Sequence, residues 1–378
     1  MASWVGFKIP IEINRKQQNM SQSKTCRWGI LSTAGIARKN WRAIAKSASG
    51  TVVAVASRRL EAAKKFVDEC QAGCPQSGLP EAMGSYESML AREDIDAVYI
   101  PLPTGSRKEW IIAAAEHGKH VLAEKPTALN SADLREILDA CDRNGVQFMD
   151  GVMFMHSARL EKLRQVLDDE RSIGKLNRIA CQFSFLGGDE FSQSNIRVDS
   201  QLEPFGCLGD LGWYCIRFLL WANQWQLPTE AVGRTLRSLK GNGSDGSVPG
   251  EFVAELAFPN GSTGSFYCSF LSGHQQWAHI NGTHGNIWIN DFVLPNFGCE
   301  VGFDVEHPHF EISGCDFHMQ EHTERVRVQE YASSYSPAQE INMIEAFNKI
   351  VISGEVEPKW GEIAFATQQV MDQLFYGK

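Results

Sequence analysis

The chain lacks any run near the roughly 18 apolar residues that a membrane helix requires. Its richest stretch, Ile216 to Ala222, is short and interrupted by Arg217, so a membrane partner is not expected. A basic excess is also missing: 36 Lys and Arg stand against 45 Asp and Glu, a formal charge of -9. No global field draws in a phosphate backbone and no local basic patch stands out, which argues against a nucleic-acid partner. The ten cysteines are scattered, and the closest pair, Cys70 and Cys74, has no second cluster to complete a zinc site. No metal is therefore expected. Thiols used this way fit a reducing compartment, and the cytoplasm is the expected location. Residues 1–24 lack the charged-then-apolar order of a secretory signal and read as a flexible extension. Glu12 is their only acid, which leaves an organellar transit segment as a second reading.

What is present is the composition of a soluble enzyme, with 43% apolar and 21% charged residues among 378. That length suits one large or two medium domains. From Cys26 a regular rhythm begins. Arg27 to Leu31 reads as a strand, residues 32–35 as a small-residue turn, and Ile36 to Ala48 as a helix. A strand at Thr51 to Ala56 and a helix at Leu60 to Glu69 follow, then a Gly- and Pro-rich loop from Gly73 to Gly84. The alternation continues with a helix at Tyr86 to Ala91, a strand at Ala97 to Pro101, a helix at Glu109 to Glu116 and a strand at His120 to Ala123. A helix at Ser131 to Asn144 and a strand at Val146 to Met149 complete the unit. Such spacing predicts a doubly wound parallel sheet over residues 25–149. After Asp150 the strands Leu176 to Phe185, Phe252 to Ala257, Thr263 to Leu271, Trp277 to Asn281 and Asn286 to Ile289 have no helices between successive partners. With helices at Ala158 to Asp168, Asp210 to Ala222, Gln339 to Ile352 and Ile363 to Phe375, residues 150–378 predict an α+β domain around a large, mostly antiparallel open sheet.

A strand that feeds a tight turn and a helix presents backbone N–H groups and a positive helix end to a diphosphate. The usual Gly-x-Gly-x-x-Gly/Ala pattern is replaced here by Ser32, Ala34 and Ala37, with Gly35 displaced by one; Thr33 and Ile36 complete the turn. An ordinary turn without a ligand fits the same residues. At the end of the second strand an acid binds the ribose hydroxyls of NAD, whereas Arg accommodates the 2'-phosphate of NADP. The residues there are Ser57, Arg58 and Arg59, so NADP is preferred over NAD.

Glu124-Lys125-Pro126 directly follows an apolar strand, and ligands in open parallel sheets bind beyond such carboxyl ends. Lys125 is thus a candidate to hold a substrate oxygen and relay its proton, with a surface lysine as the plain alternative. Asp210 and Tyr214 are four apart at a helix start and share one face. Together they offer a carboxylate and a phenol to one substrate; equally, Asp210 caps the helix and Tyr214 packs in the core. His156 and Arg159 lie near the domain junction, where a hydrogen-bonded structural histidine is the stronger reading and substrate contact the weaker. His279 and His284 sit among strand residues, and His307, His309, His318 and His322 fall in a polar stretch read as solvated surface.

Taken in order, Trp28-Gly29-Ile30-Leu31-Ser32-Thr33-Ala34, residues 95–104, Glu124-Lys125-Pro126, Asn195-Ile196-Arg197 and Gly209-Asp210-Leu211-Gly212-Trp213-Tyr214 resemble the glucose-fructose oxidoreductase, inositol dehydrogenase and rhizopine-catabolism family. The resemblance implies a Rossmann domain, then a sheet domain that makes a dimer or tetramer contact. It implies Lys125, Asp210 and Tyr214 as the catalytic set, with tyrosine rather than histidine as in the NADP xylose and dihydrodiol dehydrogenases. It implies cofactor contacts from residues 32–36, from Ser57, Arg58 and Arg59, and from Pro101, Leu102, Thr104, Arg107, Glu124 and Lys125. Asn195, Arg197, Asp210 and Tyr214 then face the substrate, with His156 a further substrate candidate only from its place near the domain junction. Arg107 departs from the family, which usually carries histidine there.

The expected activity is NAD(P)-dependent hydride transfer between nicotinamide and a carbinol carbon of a sugar, cyclic polyol or diol. In this reading Tyr214 is the proton donor or acceptor, Lys125 lowers its pKa and binds the substrate oxygen, and Asp210 orients the sugar or the lysine; the residues alone leave both Lys125 and Tyr214 as carriers of the proton. Two alternatives stand beside it: redox-neutral glycoside cleavage or elimination on a bound cofactor, and a non-catalytic NADP or sugar sensor.

Overall fold

The computed structural model describes residues 24–332 and 335–377, so the expected extension lies outside the described residues apart from Lys24. The first half runs β1 (Cys26–Leu31), α1 (Ala37–Lys46), β2 (Gly50–Ala56), α2 (Leu60–Gly73), β3 (Glu81–Met83), α3 (Tyr86–Leu90), β4 (Ala97–Ile100), α4 (Thr104–Glu116), β5 (His120–Ala123), α5 (Ser131–Arg143) and β6 (Phe148–Asp150). These six strands form one parallel sheet in the order β3-β2-β1-β4-β5-β6. Its central strands are short apolar runs because helices cover both faces; all four residues of β4 are buried. In α1 the buried residues Ala37, Asn40, Trp41 and Ile44 recur at helical spacing and turn one stripe to the sheet.

The second half runs α6 (Ala158–Asp168), β7 (Leu176–Leu186), α7 (Asp189–Ser194), α8 (Trp213–Ala222), β8 (Glu230–Leu239), β9 (Val248–Ala257), β10 (Thr263–Ser269), β11 (Leu271–Gly282), β12 (Asn286–Ile289), β13 (Glu300–Glu306), β14 (His309–Ser313), β15 (Asp316–Gln320), β16 (Thr323–Gln329), α9 (Gln339–Ser353) and α10 (Lys359–Tyr376). Eight strands make a sheet in the order β16-β13-β12-β11-β7-β10-β9-β8, antiparallel except where β10 meets β7. Alternate residues such as Ile179, Cys181 and Phe183 point to one buried face, against α6, α8 and α10. Among the described residues the other face carries no helix.

Several boundaries differ from expectation. β3 lies inside the Gly- and Pro-rich loop, too short to register as a pattern. α4 begins at Thr104 rather than Glu109. The helix expected from Asp210 is a π-helical turn, Leu208–Gly212, that leads into α8. The polar stretch from His307 to His322, read as solvated surface, is exposed throughout, and it carries the strands β14 and β15.

The halves are joined by buried polar links. Asp150, the last residue of β6, pairs with Arg217 of α8 at 2.6 Å, with both side chains essentially inaccessible, and accepts from the Trp213 indole at 3.2 Å. Arg217 also donates to Thr367 of α10, and Trp28 of β1 donates to Asn348 of α9 at 2.9 Å. Removing one partner of a buried pair leaves an uncompensated charge, so Asp150→Asn is expected to lower stability by about 3 kcal/mol in urea unfolding. A second strained point is Ser32, held at φ 127°, a region that favours glycine.

Candidate active site

The parallel sheet reverses its winding between β1 and β4, and the crevice beyond their carboxyl ends is where such sheets take ligands. A cavity of about 540 Å³ opens there, bounded by the turn after β1, the loops after β4 and β5, and the C-terminal domain. Grooves of about 630 and 640 Å³ lie elsewhere, against α10 and at the amino end of β1. Neither gathers Lys125, Asp210 and Tyr214, so the chemistry belongs to the smaller cavity.

Lys125 and Asp210 come from different domains and meet in this cleft. The ammonium donates to the Asp210 carboxylate at 2.8 Å and to its backbone carbonyl at 2.5 Å. That carbonyl lies in the π-helical turn, where the regular hydrogen-bond ladder is interrupted. On its other oxygen Asp210 accepts from Arg197 at 2.8 Å. Burial raises the Asp210 pKa, but the two flanking cations overcome this and hold it at about 2. The Lys125–Pro126 peptide is cis, and the lysine amine sits 4.6 Å from the centre of the Tyr214 ring.

Tyr214 occupies the cleft wall in an orientation that corrects one expectation. Its hydroxyl faces the Met153 sulfur at 3.8 Å, while the lysine lies over the ring face. Burial first, then the negative charges of Glu124 and Asp210, push the phenol well above its usual pKa. Lowering of that pKa by Lys125 is not what this environment produces.

The loops are clamped by buried groups. Arg107 is inaccessible and donates to the Leu102 and Pro126 carbonyls, binding the loops after β4 and β5 together. An arginine in place of the family's histidine thus acts as an internal brace, although it reaches the cleft wall. Thr104 is buried behind the wall, where its N–H and hydroxyl donate to Glu203 at 3.0 and 2.7 Å. Beside it a Cβ on Gly105 would lie 2.2 Å from the Gln201 carbonyl, so the close docking of this loop on α4 requires glycine. Glu124 accepts from the buried Tyr99 hydroxyl at 2.6 Å.

Of the expected site residues, Ala34, Gly35, Ile36, Pro101, Leu102, Arg107, Glu124, Lys125, Arg197, Asp210 and Tyr214 line the cleft. Ser32 and Thr33 lie outside its lining; the Ser32 hydroxyl accepts from the Ala34 N–H at 3.2 Å and shapes the turn. Ser57, Arg58 and Arg59 stand at the carboxyl end of β2, beside the turn rather than in the cavity. Asn195 caps the short helix Ile196–Val198 by accepting from Arg197 N–H at 3.1 Å. His156, read more strongly as a structural histidine than as a substrate contact, is half-buried outside the cleft lining and stacks on Trp360 at 4.6 Å. Desolvation lowers its pKa to about 3, so it is a neutral core histidine. Arg159 is likewise structural, paired with Asp291 at 2.5 Å.

Sequence reasoning missed Met153, Phe183, Phe185, Glu203, His274, Val293 and Leu294, all of which line the cleft. Alternation along β7 carried a signal for Phe183 and Phe185. His274 had none: it is delivered by an irregularity in β11, where Leu271 pairs with Leu186 but the next ladder partner is Gln275 with Ser184. Ser184 anchors this bulge by donating to the Gly273 carbonyl at 2.8 Å.

A dinucleotide fits the donor set on the N-terminal side. Ala34 and Gly35 keep side chains out of the turn, and a Cβ at Gly35 would meet nothing within 4 Å. The N–H groups of Ala37, Arg38 and Lys39 close on the carbonyls of Ala34, Gly35 and Ile36 at 3.0, 3.2 and 3.0 Å, so the donors left for an anion are the turn's own Gly35 and Ile36 N–H groups.

Two family models match: "Oxidoreductase family, NAD-binding Rossmann fold" over residues 26–152 and "GFO/IDH/MocA C-terminal domain" over residues 160–288. The chain is 30% identical to a D-xylose 1-dehydrogenase (NADP(+)) of Haloferax volcanii, over 70% of this chain and 75% of the relative. It is 31% identical to trans-1,2-dihydrobenzene-1,2-diol dehydrogenase of Mus musculus, over 71% and 76%. The structure of KijD10, a 3-ketoreductase from Actinomadura kijaniata in complex with NADP and TDP-benzene, aligns with TM-score 0.78 and 26% identity, covering 94% of this chain and 98% of that one. Levoglucosan dehydrogenase, with 18% identity and TM-score 0.77 over 93% and 97%, shares the fold. The chain belongs to the GFO/IDH/MocA family of oxidoreductases with an NAD-binding Rossmann domain.

Proposed function

We propose that the protein is an NADP-preferring oxidoreductase acting on a carbinol or keto carbon of a sugar, cyclic polyol or related diol. The observation that carries this reading is the Lys125–Asp210 pair, closed between domains at the carboxyl ends of the parallel strands. A bound nicotinamide supplies or accepts the hydride at its C4. Residues 34–36, Leu102 and Glu124 would hold that cofactor along the N-terminal wall. Lys125 would bind the substrate oxygen, donating its proton during reduction and accepting one during oxidation. Asp210, fixed from its far side by Arg197, keeps the amine aimed at that oxygen. Tyr214, whose raised pKa keeps it protonated near neutrality, supplies the ring on which the lysine rests and can donate a hydrogen bond. Phe183, Phe185, Val293 and Leu294 give the far wall an apolar character, which favours a ring with one hydroxylated edge.

The relatives named for NADP, with Arg58 and Arg59 where an acid would bind NAD, support the preference for NADP. Unpaired cysteines throughout support a reducing compartment such as the cytoplasm. The helix-free face of the eight-stranded sheet, with exposed Val232 and Leu236, supports a dimer or tetramer through that sheet. Among the described residues no helix is long and apolar enough to cross a membrane.

The direct test is an absorbance screen at the reduced-nicotinamide band with NAD and NADP across vicinal cyclic diols, aldoses and inositols. Net NADPH formation is expected; substrate consumption without it would replace this reading with the redox-neutral one. Within that assay Lys125→Ala should lower kcat by about a thousandfold and Tyr214→Phe by no more than about tenfold. The reverse ranking would move the proton to the phenol. Arg58→Ala should raise the KM for NADP by about tenfold and leave that for NAD unchanged, since a 2'-phosphate contact is worth a kcal/mol or more. Equal changes would remove Arg58 from cofactor selection.

A further inference from the structure

β13 and β16 do not end where the large sheet ends. Their ladder runs from Glu300 opposite Gln329 to Glu306 opposite Thr323, and is continued by a 2.8 Å bond from His307 N–H to the His322 carbonyl. Beyond Pro308 the same ribbon resumes as β14 and β15, from His309 opposite Gln320 to Ser313 opposite Asp316, and turns at Gly314. This outer half is an arm: all ten of its strand residues are exposed.

The arm is amphipathic, and among the described residues its apolar face has nothing to bury against. Phe310 is opposite Met319 and Ile312 is opposite Phe317, so the four share one face. The Phe310 and Phe317 rings stack at 6.0 Å on that face. They remain 57%, 57%, 65% and 77% exposed for Phe310, Ile312, Phe317 and Met319. The opposite face carries His309, Glu311, Asp316 and His318. A lone two-stranded hairpin is marginal in water, so four large apolar residues held on one point to a partner surface.

We propose that this face packs on a second copy of the chain, so that the arm of one protomer clasps the open sheet of its partner. The idea rests on the oligomer reading above and names the element that makes the contact. Four observations select this occupant. The cleft is excluded, because the arm leaves the sheet beside Gly282 while His274 reaches the cleft at the other end of β11, roughly 25 Å away at about 3.3 Å per residue. An anionic membrane surface is excluded, because residues 307–322 contain Glu311, Asp316 and Glu321 but no Lys or Arg. The two-residue alternation of β13, with Phe303 and Val305 turned to the core, carried through Pro308, puts Phe310 and Ile312 on the side of the helix-free sheet face. Finally, large side chains of about 150–250 Å² leave roughly 500 Å² of apolar surface per arm; a two-fold pair of arms buries roughly 1,000 Å², the lower bound of a specific interface.

The test is sedimentation velocity of the full chain across 0.1–50 µM, roughly the range in which an interface of this area dissociates, with Phe310→Asp/Phe317→Asp as the variant. Among the described residues these rings stack on each other and brace no core element, and a circular-dichroism melt with an NADP titration checks that the variant is folded. The wild type should be a dimer or tetramer, and the variant's dissociation constant should rise by at least about thirtyfold, the effect of losing a central apolar anchor. Hydrogen exchange should show amides 309–320 protected at high concentration and released on dilution. A monomeric wild type would overturn both the oligomer reading and the clasp. An oligomer that associates equally tightly with the double variant, or whose arm exchanges freely at every concentration, would overturn the clasp alone.

Discussion

The ion pair between Lys125 and Asp210 is the constraint on which the rest depends. Its amine follows β5 of the parallel sheet, and its carboxylate sits at the entrance of α8 in the other domain, so it forms only if the two halves hold a fixed relation. A nearly buried pair of charges costs desolvation that its own attraction barely offsets. Here the balance is tipped by Arg197 on the second carboxylate oxygen and by the Tyr214 ring beneath the amine. The links from Asp150 to Arg217, from Trp28 to Asn348 and from Glu203 to Thr104 therefore bear on chemistry as well as stability. Each fixes the separation across which Lys125 must reach.

The two acids of the site are driven in opposite directions. Asp210 is depressed to about 2, so its contribution to stability is complete above the ordinary carboxylate range and is lost as pH falls through the folded value. Tyr214 is raised by burial and by neighbouring carboxylates, and stays neutral while Asp210 is charged. Such divergence separates the roles: one group anchors a cation, the other remains a hydrogen-bond donor.

How far this was legible in the sequence depends on how many faces of each element are buried. The parallel strands are covered twice and read as plain apolar runs, which made β4 and β5 visible and placed Lys125 at a carboxyl end. β3 has three residues in a Gly- and Pro-rich loop and offers no period to detect. The arm strands have no buried face in their own chain and are rich in His, Asp and Glu, so their alternation was masked by polarity. In the site, Asp210 and Tyr214 were legible because i, i+4 spacing survives the π-helical turn. Their pKa values were not, since these depend on Glu124 and Arg197, remote in sequence. His156 shows the limit most plainly: proximity to the domain junction could not tell the cleft from the core behind it, where Trp360 covers the ring.

The division of labour between the domains follows from where each wall originates. The reacting groups stand on short connections held by buried braces, with Arg107 on two carbonyls and Glu203 on the start of α4, and small displacements there would break the Lys125 contact. The apolar wall comes from the end of β7, the bulge in β11 and residues 293–294, which lean on the sheet rather than on the pair. Substitutions along that wall can reshape the substrate's surroundings while leaving the amine and carboxylate in register. His274 is the extreme case, because its bulge is anchored through Ser184 on the Gly273 carbonyl, Tyr267 on the Ser272 hydroxyl and Ser269 on the Leu271 N–H, none of which uses the imidazole. Recognition can therefore vary on the sheet while the proton chemistry stays with the loop after β5, since one side depends on surface shape and the other on a distance of a few ångströms.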